Sequence, residues 1–183
     1  MAATIVRSAG LKTYGVELPE SIAEALDDMA ILVCYGRGAV PRNGYGQREI
    51  IGDAVVEEPP RLTGQLVLLA RSLLALGLDE DASLTLCRRA ALDSMPEIRR
   101  RVLAALVRDD GITVAEVARR AACDRKVARM ALEDLAAIGL TDSPVPNAYE
   151  DDLEIRHLPH RWFLVGDDAD LVRAVFSARR WGE

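Results

Sequence analysis

Aromatic side chains are scarce: 2 Trp, 4 Tyr and 2 Phe make up 4% of the 183 residues. A densely packed interior must then be filled mainly by Leu, Val, Ile and Ala, which favours helix packed on helix. Lysine is nearly missing, with Lys12 and Lys126 set against 21 arginines. Three cysteines, Cys34, Cys87 and Cys123, lie far apart and are odd in number. That gives no disulfide framework and no zinc-ligand spacing, and the expectation is free, buried or half-buried thiols in a reducing cytoplasm. His157 and His160 form an H-x-x-H pair without a supporting ligand cluster, so no metal is expected there. Apolar runs such as Leu66–Ala70 fall far short of the roughly 18 residues that a membrane span needs. Met1–Gly10 has one arginine and no long apolar region before a cleavage site, so no secretory signal is expected.

What is present is ordinary for a globular chain: 50% hydrophobic residues, enough for one domain or two small ones. The net charge of −6 conceals an asymmetry. From Glu97 to Leu132, nine basic residues face five acidic ones, a local charge of +4. From Glu133 to Asp170, ten acidic residues face two basic ones, a local charge of −8. Local potential governs contact within a Debye length of about 8–10 Å, so the first segment suits a polyanion and the second opposes one.

Apolar periodicity predicts a helix over Leu18–Tyr35, stopped by Gly36 and Gly38. The glycine-rich stretch that follows has a turn signal at Asn43-Gly44, compatible with a hairpin. No Gly-Lys-Ser/Thr follows its glycines, so a kinase or ATPase phosphate loop is not here. A second helix runs from Pro59 or Pro60 to Leu76, with Leu62, Leu66, Leu69 and Leu73 in register and apolar enough to be buried on most sides. Asp79 caps a third, from Glu80 to about Leu92.

The clearest helix signals begin at Ser94. Ser94-Met-Pro-Glu97 has the form of a capping box before a helix that buries Ile98, Val102, Leu103 and Leu106 and ends at Gly111. Thr113-Val-Ala-Glu116 is a second box, opening a short helix with Val114, Val117, Ala118 and Ala121. Asp124 caps a third helix, with Val127, Ala131, Leu135 and Ile138 facing inward and Gly139 at its left-handed end.

Three helices with a tight turn between the last two describe a helix-turn-helix. The segment ITVAEVARRAACDRKVARMALEDLAAIGLT resembles the winged helix-turn-helix family of the MarR/GntR-like kind. The resemblance implies that Val127 and Leu132 hold the recognition helix to the core. Its exposed early residues, Arg125, Lys126 and Arg129, would then enter the DNA major groove, with Arg119 and Arg120 anchoring phosphates. The wing would follow as a strand near Leu140–Ser143, an acidic loop with Glu150, Asp151, Asp152 and Glu154, and a return strand at Arg161–Val165. An appended helix from Asp168 to about Arg180 closes the chain and, by analogy, mediates pairing.

Further upstream, PPRLTGQLVLLARSLLALGL is more faintly similar to the lid helix of minichromosome-maintenance-type AAA+ ATPases. By that resemblance Arg61 would sit where a lid arginine reaches nucleotide phosphate, although no Walker motif accompanies it.

The expectation is a mainly α protein: a helical region over 1–92, lid-like or dimerising, then a winged helix-turn-helix with a small β-wing and a C-terminal helix over 93–183. It is cytoplasmic and non-enzymatic, takes no cofactor, and binds double-stranded DNA in transcription regulation or replication, as a possible homodimer. The alternative is a non-catalytic interaction subunit, or the C-terminal piece of a replicative ATPase or helicase. The acidic wing and the apolar second helix favour that alternative. A small-molecule sensor is a third reading.

Overall fold

A computed structural model of the chain describes residues 15–44, 49–143, 160–165 and 168–177. Among these the protein is mainly helical, with a small three-stranded antiparallel sheet. No helix among the described residues is long and apolar enough to cross a membrane. The contacts divide the chain into two compact units that are not continuous in sequence.

The first unit holds α1 (Glu20–Arg37), α2 (Pro60–Ala75) and α3 (Glu80–Asp93). Helix α1 is almost wholly apolar on its inner side, burying Ile22, Leu26, Met29, Ala30 and Val33. It runs through Gly36 instead of stopping there, and the missing side chain leaves room for Met95, whose Sδ lies 2.7 Å from where a Cβ would stand. Helix α2 buries a single stripe, Leu62, Leu66 and Ala70. Leu69 and Leu73 are half-buried and Leu68 is 56% exposed, so this helix is not enclosed on most sides. In α3 the predicted cap forms: the Asp79 carboxylate accepts from the Ala82 amide at 2.7 Å. Cys34 and Cys87 are buried in this unit. Burial pushes the Cys87 thiol up to about 11. Burial, with the Glu57 charge added and Arg37 opposing, also raises Cys34.

The second unit takes Gly38–Val56 out of the middle of the first and adds the chain from Pro96 onward. Gly38–Val56 doubles back on itself: Ala39 and Val55 exchange backbone hydrogen bonds of 2.8 and 2.9 Å, and Arg42 pairs with Ile50. The arms of a hairpin are therefore present, but Asn43, expected at the turn, belongs to one of them through its amide bond to the Glu49 carbonyl at 2.9 Å; residues 45–48 lie outside the described residues.

Helix α4 (Glu97–Arg108) starts without the capping box expected at Ser94. Ser94 belongs to the end of α3, where its hydroxyl donates to the Ala91 carbonyl at 2.6 Å. Pro96, at φ −52° and ψ 124°, then turns the chain, so Ser94 stands too far back to reach the free amides of α4. In α4, Val102, Leu103 and Leu106 are buried as expected, Ile98 is half-buried, and Arg99 is buried. Strand β1 (Ile112–Thr113) leads into α5 (Val114–Arg120), and α6 (Arg125–Ile138) leads into β2 (Thr141–Asp142). Strand β3 (Arg161–Leu164) lies between them, with Ile112 opposite Trp162 and Thr141 opposite Leu164. Helix α7 (Asp168–Ser177) packs against α4 through this unit's core, with Val172 and Val175 buried. The loop expected to carry Glu150, Asp151, Asp152 and Glu154 lies outside the described residues, as do His157 and Met1–Gly10.

Candidate nucleic-acid interface

Local chemistry sets α5 and α6 against each other. The Thr113 box closes in both directions: its hydroxyl accepts from the Glu116 amide at 3.3 Å, and its own amide donates to Glu116 Oε2 at 2.8 Å. Helix α5 then stops within two turns. Ala122 adopts φ 48°, a left-handed backbone unusual for a residue with a side chain, and the Cys123 amide bonds to the Ala118 carbonyl at 3.0 Å. The Asp124 carboxylate accepts from the Lys126 amide at 2.7 Å and starts α6, and Gly139 closes it at φ 93°.

Helix α6 buries Ala128, Ala131, Leu132, Leu135 and Ile138. The opposite side of its first two turns therefore carries Arg125, Lys126 and Arg129, all exposed. Val127, expected inward, is instead 43% exposed, because Ala128 occupies the inward position that Val127 would need.

Arg125, Lys126 and Arg129 line one surface hollow together with Thr113, Val114 and His160. Arg119 joins Arg125 around a second hollow, with Glu116, Cys123 and Asp124. Four of the five predicted contact residues are thus brought into one neighbourhood. Arg120 is not among them: its guanidinium is ion-paired to Asp109. Other members of the basic segment are also engaged internally, Arg99 with the Gly38 carbonyl and Asp134, and Arg101 with Glu97. Among the described residues, none of Arg119, Arg125, Lys126 and Arg129 is in an ion pair.

The neighbourhood is not purely cationic. The Thr113 backbone hydrogen bond, followed by its hydroxyl, holds the Glu116 carboxyl below its ordinary range, so Glu116 is an anion, with both of these bonds received by Oε2. In the sequence His160 is marked only by the H-x-x-H pair, which says nothing of a place beside α5. Its place follows from sheet register: Thr113 pairs with Arg161, which brings residue 160 to the start of α5.

No protein-family model, curated protein or solved structure matches this chain.

Proposed function

We propose that the chain binds double-stranded DNA through a winged helix-turn-helix formed by α4, α5, α6 and the small sheet, in transcription regulation or replication, without catalysing a reaction. One observation carries this reading: three exposed cations, free of ion pairs among the described residues, crowd the first two turns of α6, with Arg119 and His160 beside them. Arginine forks suit both guanine edges and phosphate oxygens, and the positive end of the α6 dipole adds to the same attraction. The preceding helix and turn leave that end open, the side a major groove would have to receive.

Fluorescence anisotropy with random-sequence duplexes across a salt series tests the proposal. Phosphate contact makes log affinity fall with log salt by about 0.9 per neutralised phosphate, hence a slope of about −3.6 if Arg119, Arg125, Lys126 and Arg129 each neutralise one. Replacing Arg125 and Arg129 together by alanine weakens binding at least roughly tenfold while leaving the helical circular dichroism intact. Unchanged affinity removes the assignment.

A second reading rests on the first unit, where Leu68, Leu76 and Leu86 are exposed. A non-catalytic subunit docking on an ATPase or another replication protein, or pairing with a second copy, would cover such side chains. Arg61, exposed at the start of α2, is open to the contact that the lid resemblance implies. Absence of any duplex binding near 50 mM salt, together with a concentration-dependent mass in sedimentation, shifts the weight to that reading.

A further inference from the structure

The chain has two histidines, and one of them, His160, stands among the exposed cations. It arrives there from outside the helix-turn-helix: the pairing of Thr113 with Arg161 sets residue 160 opposite Val114, the first residue of α5. From that position it shares a hollow with Arg125, Lys126 and Arg129 of α6, and it is exposed as they are. Resting on the DNA-binding reading, we propose that His160 is a further phosphate contact, made when its imidazole is protonated, so that the chain holds DNA more tightly in mild acid.

Arginine and lysine are cations throughout the range from about pH 8 to about pH 5.5, whereas imidazole ordinarily changes its charge within it. The other charged groups around the hollow are already engaged. From α5, Glu116 is held below its ordinary range by the Thr113 amide and hydroxyl, so it stays an anion across that range. From β3, the Arg161 guanidinium donates to the Gly111 carbonyl at 2.7 Å. Asp124, whose carboxylate accepts from the Lys126 amide, borders the neighbouring hollow around Arg119, as does Cys123. A phosphate drawn to the three α6 cations therefore meets the imidazole beside them, favours its charged form and accepts a hydrogen bond from it. Binding then takes up a proton, and log affinity falls as pH rises through the range where the imidazole loses its charge.

Anisotropy of the full chain with a random-sequence duplex, across a salt series at about pH 8 and at about pH 5.5, tests the proposal. The native chain binds about two- to fivefold more tightly at the lower pH, the worth of one partly exposed charge pair. Its salt slope steepens there by about 0.9, one more neutralised phosphate. His160→Gln loses both changes, His157→Gln keeps them, and His160→Lys holds the steeper slope at either pH. Affinity and slope that are the same at the two pH values overturn the proposal, as does a difference undiminished in His160→Gln. Failure of the DNA-binding reading looks different: no salt-dependent binding is seen at either pH, and this proposal falls with it.

Discussion

Arg42 and Asp134 stand 92 positions apart in the sequence, yet Arg42 Nε donates to Asp134 Oδ1 at 2.9 Å. The same guanidinium reaches Glu133 and the Met130 carbonyl, each at 3.2 Å, and Arg99 holds the other carboxylate oxygen of Asp134 at 3.0 Å. One carboxylate on α6 thus ties together the hairpin, α4 and the helix that carries the exposed cations. Burial disfavours charge on Arg42, but hydrogen bonds and charge from Asp134 and Glu133 outweigh it and raise its pKa.

Removing Asp134 takes one carboxylate away from each of two largely buried guanidinium groups, although Arg42 keeps Glu133. Breaking a fully buried pair costs about 3–5 kcal/mol, and partial access to water reduces the expected loss for Asp134→Ala to about 2–3 kcal/mol. Urea unfolding measures it, and a midpoint within error of the native chain would show the network to be energetically idle.

The neighbouring arginines Arg119 and Arg120 should separate cleanly. Arg119→Ala is expected to reduce the steepness of the salt dependence by about 0.9. Arg120→Ala should leave DNA affinity within about twofold and lower stability by no more than about 1 kcal/mol, since its pair with Asp109 is partly exposed. Paired anisotropy and unfolding curves decide it; the reverse pattern would mean that Arg120 leaves Asp109 for the nucleic acid.

Ala122 provides a test of the turn. Its φ of 48° is strained for alanine, so Ala122→Gly should stabilise the protein by about 0.5–1 kcal/mol, although glycine loses more freedom on folding. Gly111 is the converse case. At φ 71°, and with Phe163 Cε1 2.7 Å from where a Cβ would stand, Gly111→Ala should destabilise by more than about 1 kcal/mol. Thermal melts of the two variants should move in opposite directions.

The Thr113–Glu116 box predicts a pH dependence of defined sign. Thr113→Ala should cost about 1 kcal/mol, the usual worth of a helix cap. Glu116 has a folded pKa below its ordinary value, so its contribution is present above the unfolded carboxyl value of about 4.3 and is lost as pH falls through the lower folded value. The stability gap between the native chain and Glu116→Gln should therefore narrow on acidification. A gap that widens in acid would contradict the hydrogen-bond geometry.

Local signals were readable wherever a single segment decides the outcome. Asp79, Thr113 and Asp124 cap the helices that their spacing announces, and Gly139 ends α6, because each acts on backbone groups within three or four residues. Ser94 misled because a serine serves the end of one helix as readily as the start of the next, and only the path through Pro96 decides between them. Val127 misled because both it and Ala128 are apolar, and periodicity could not say which of two adjacent residues the core would take.

By itself the sequence determined the helical character and the caps at Asp79, Thr113 and Asp124 through short-range spacing, and it signalled a reversal of the chain near Asn43-Gly44. Tertiary structure alone decided which cations remain for a partner. Arg99 and Arg120 are as basic as their neighbours on paper, but Asp134 and Asp109 claim them from distant positions. The removal of Gly38–Val56 into the second unit and the arrival of His160 beside α5 are of the same kind. Pairings between residues far apart in sequence leave no periodic trace, since they depend on which surfaces meet after the helices have formed.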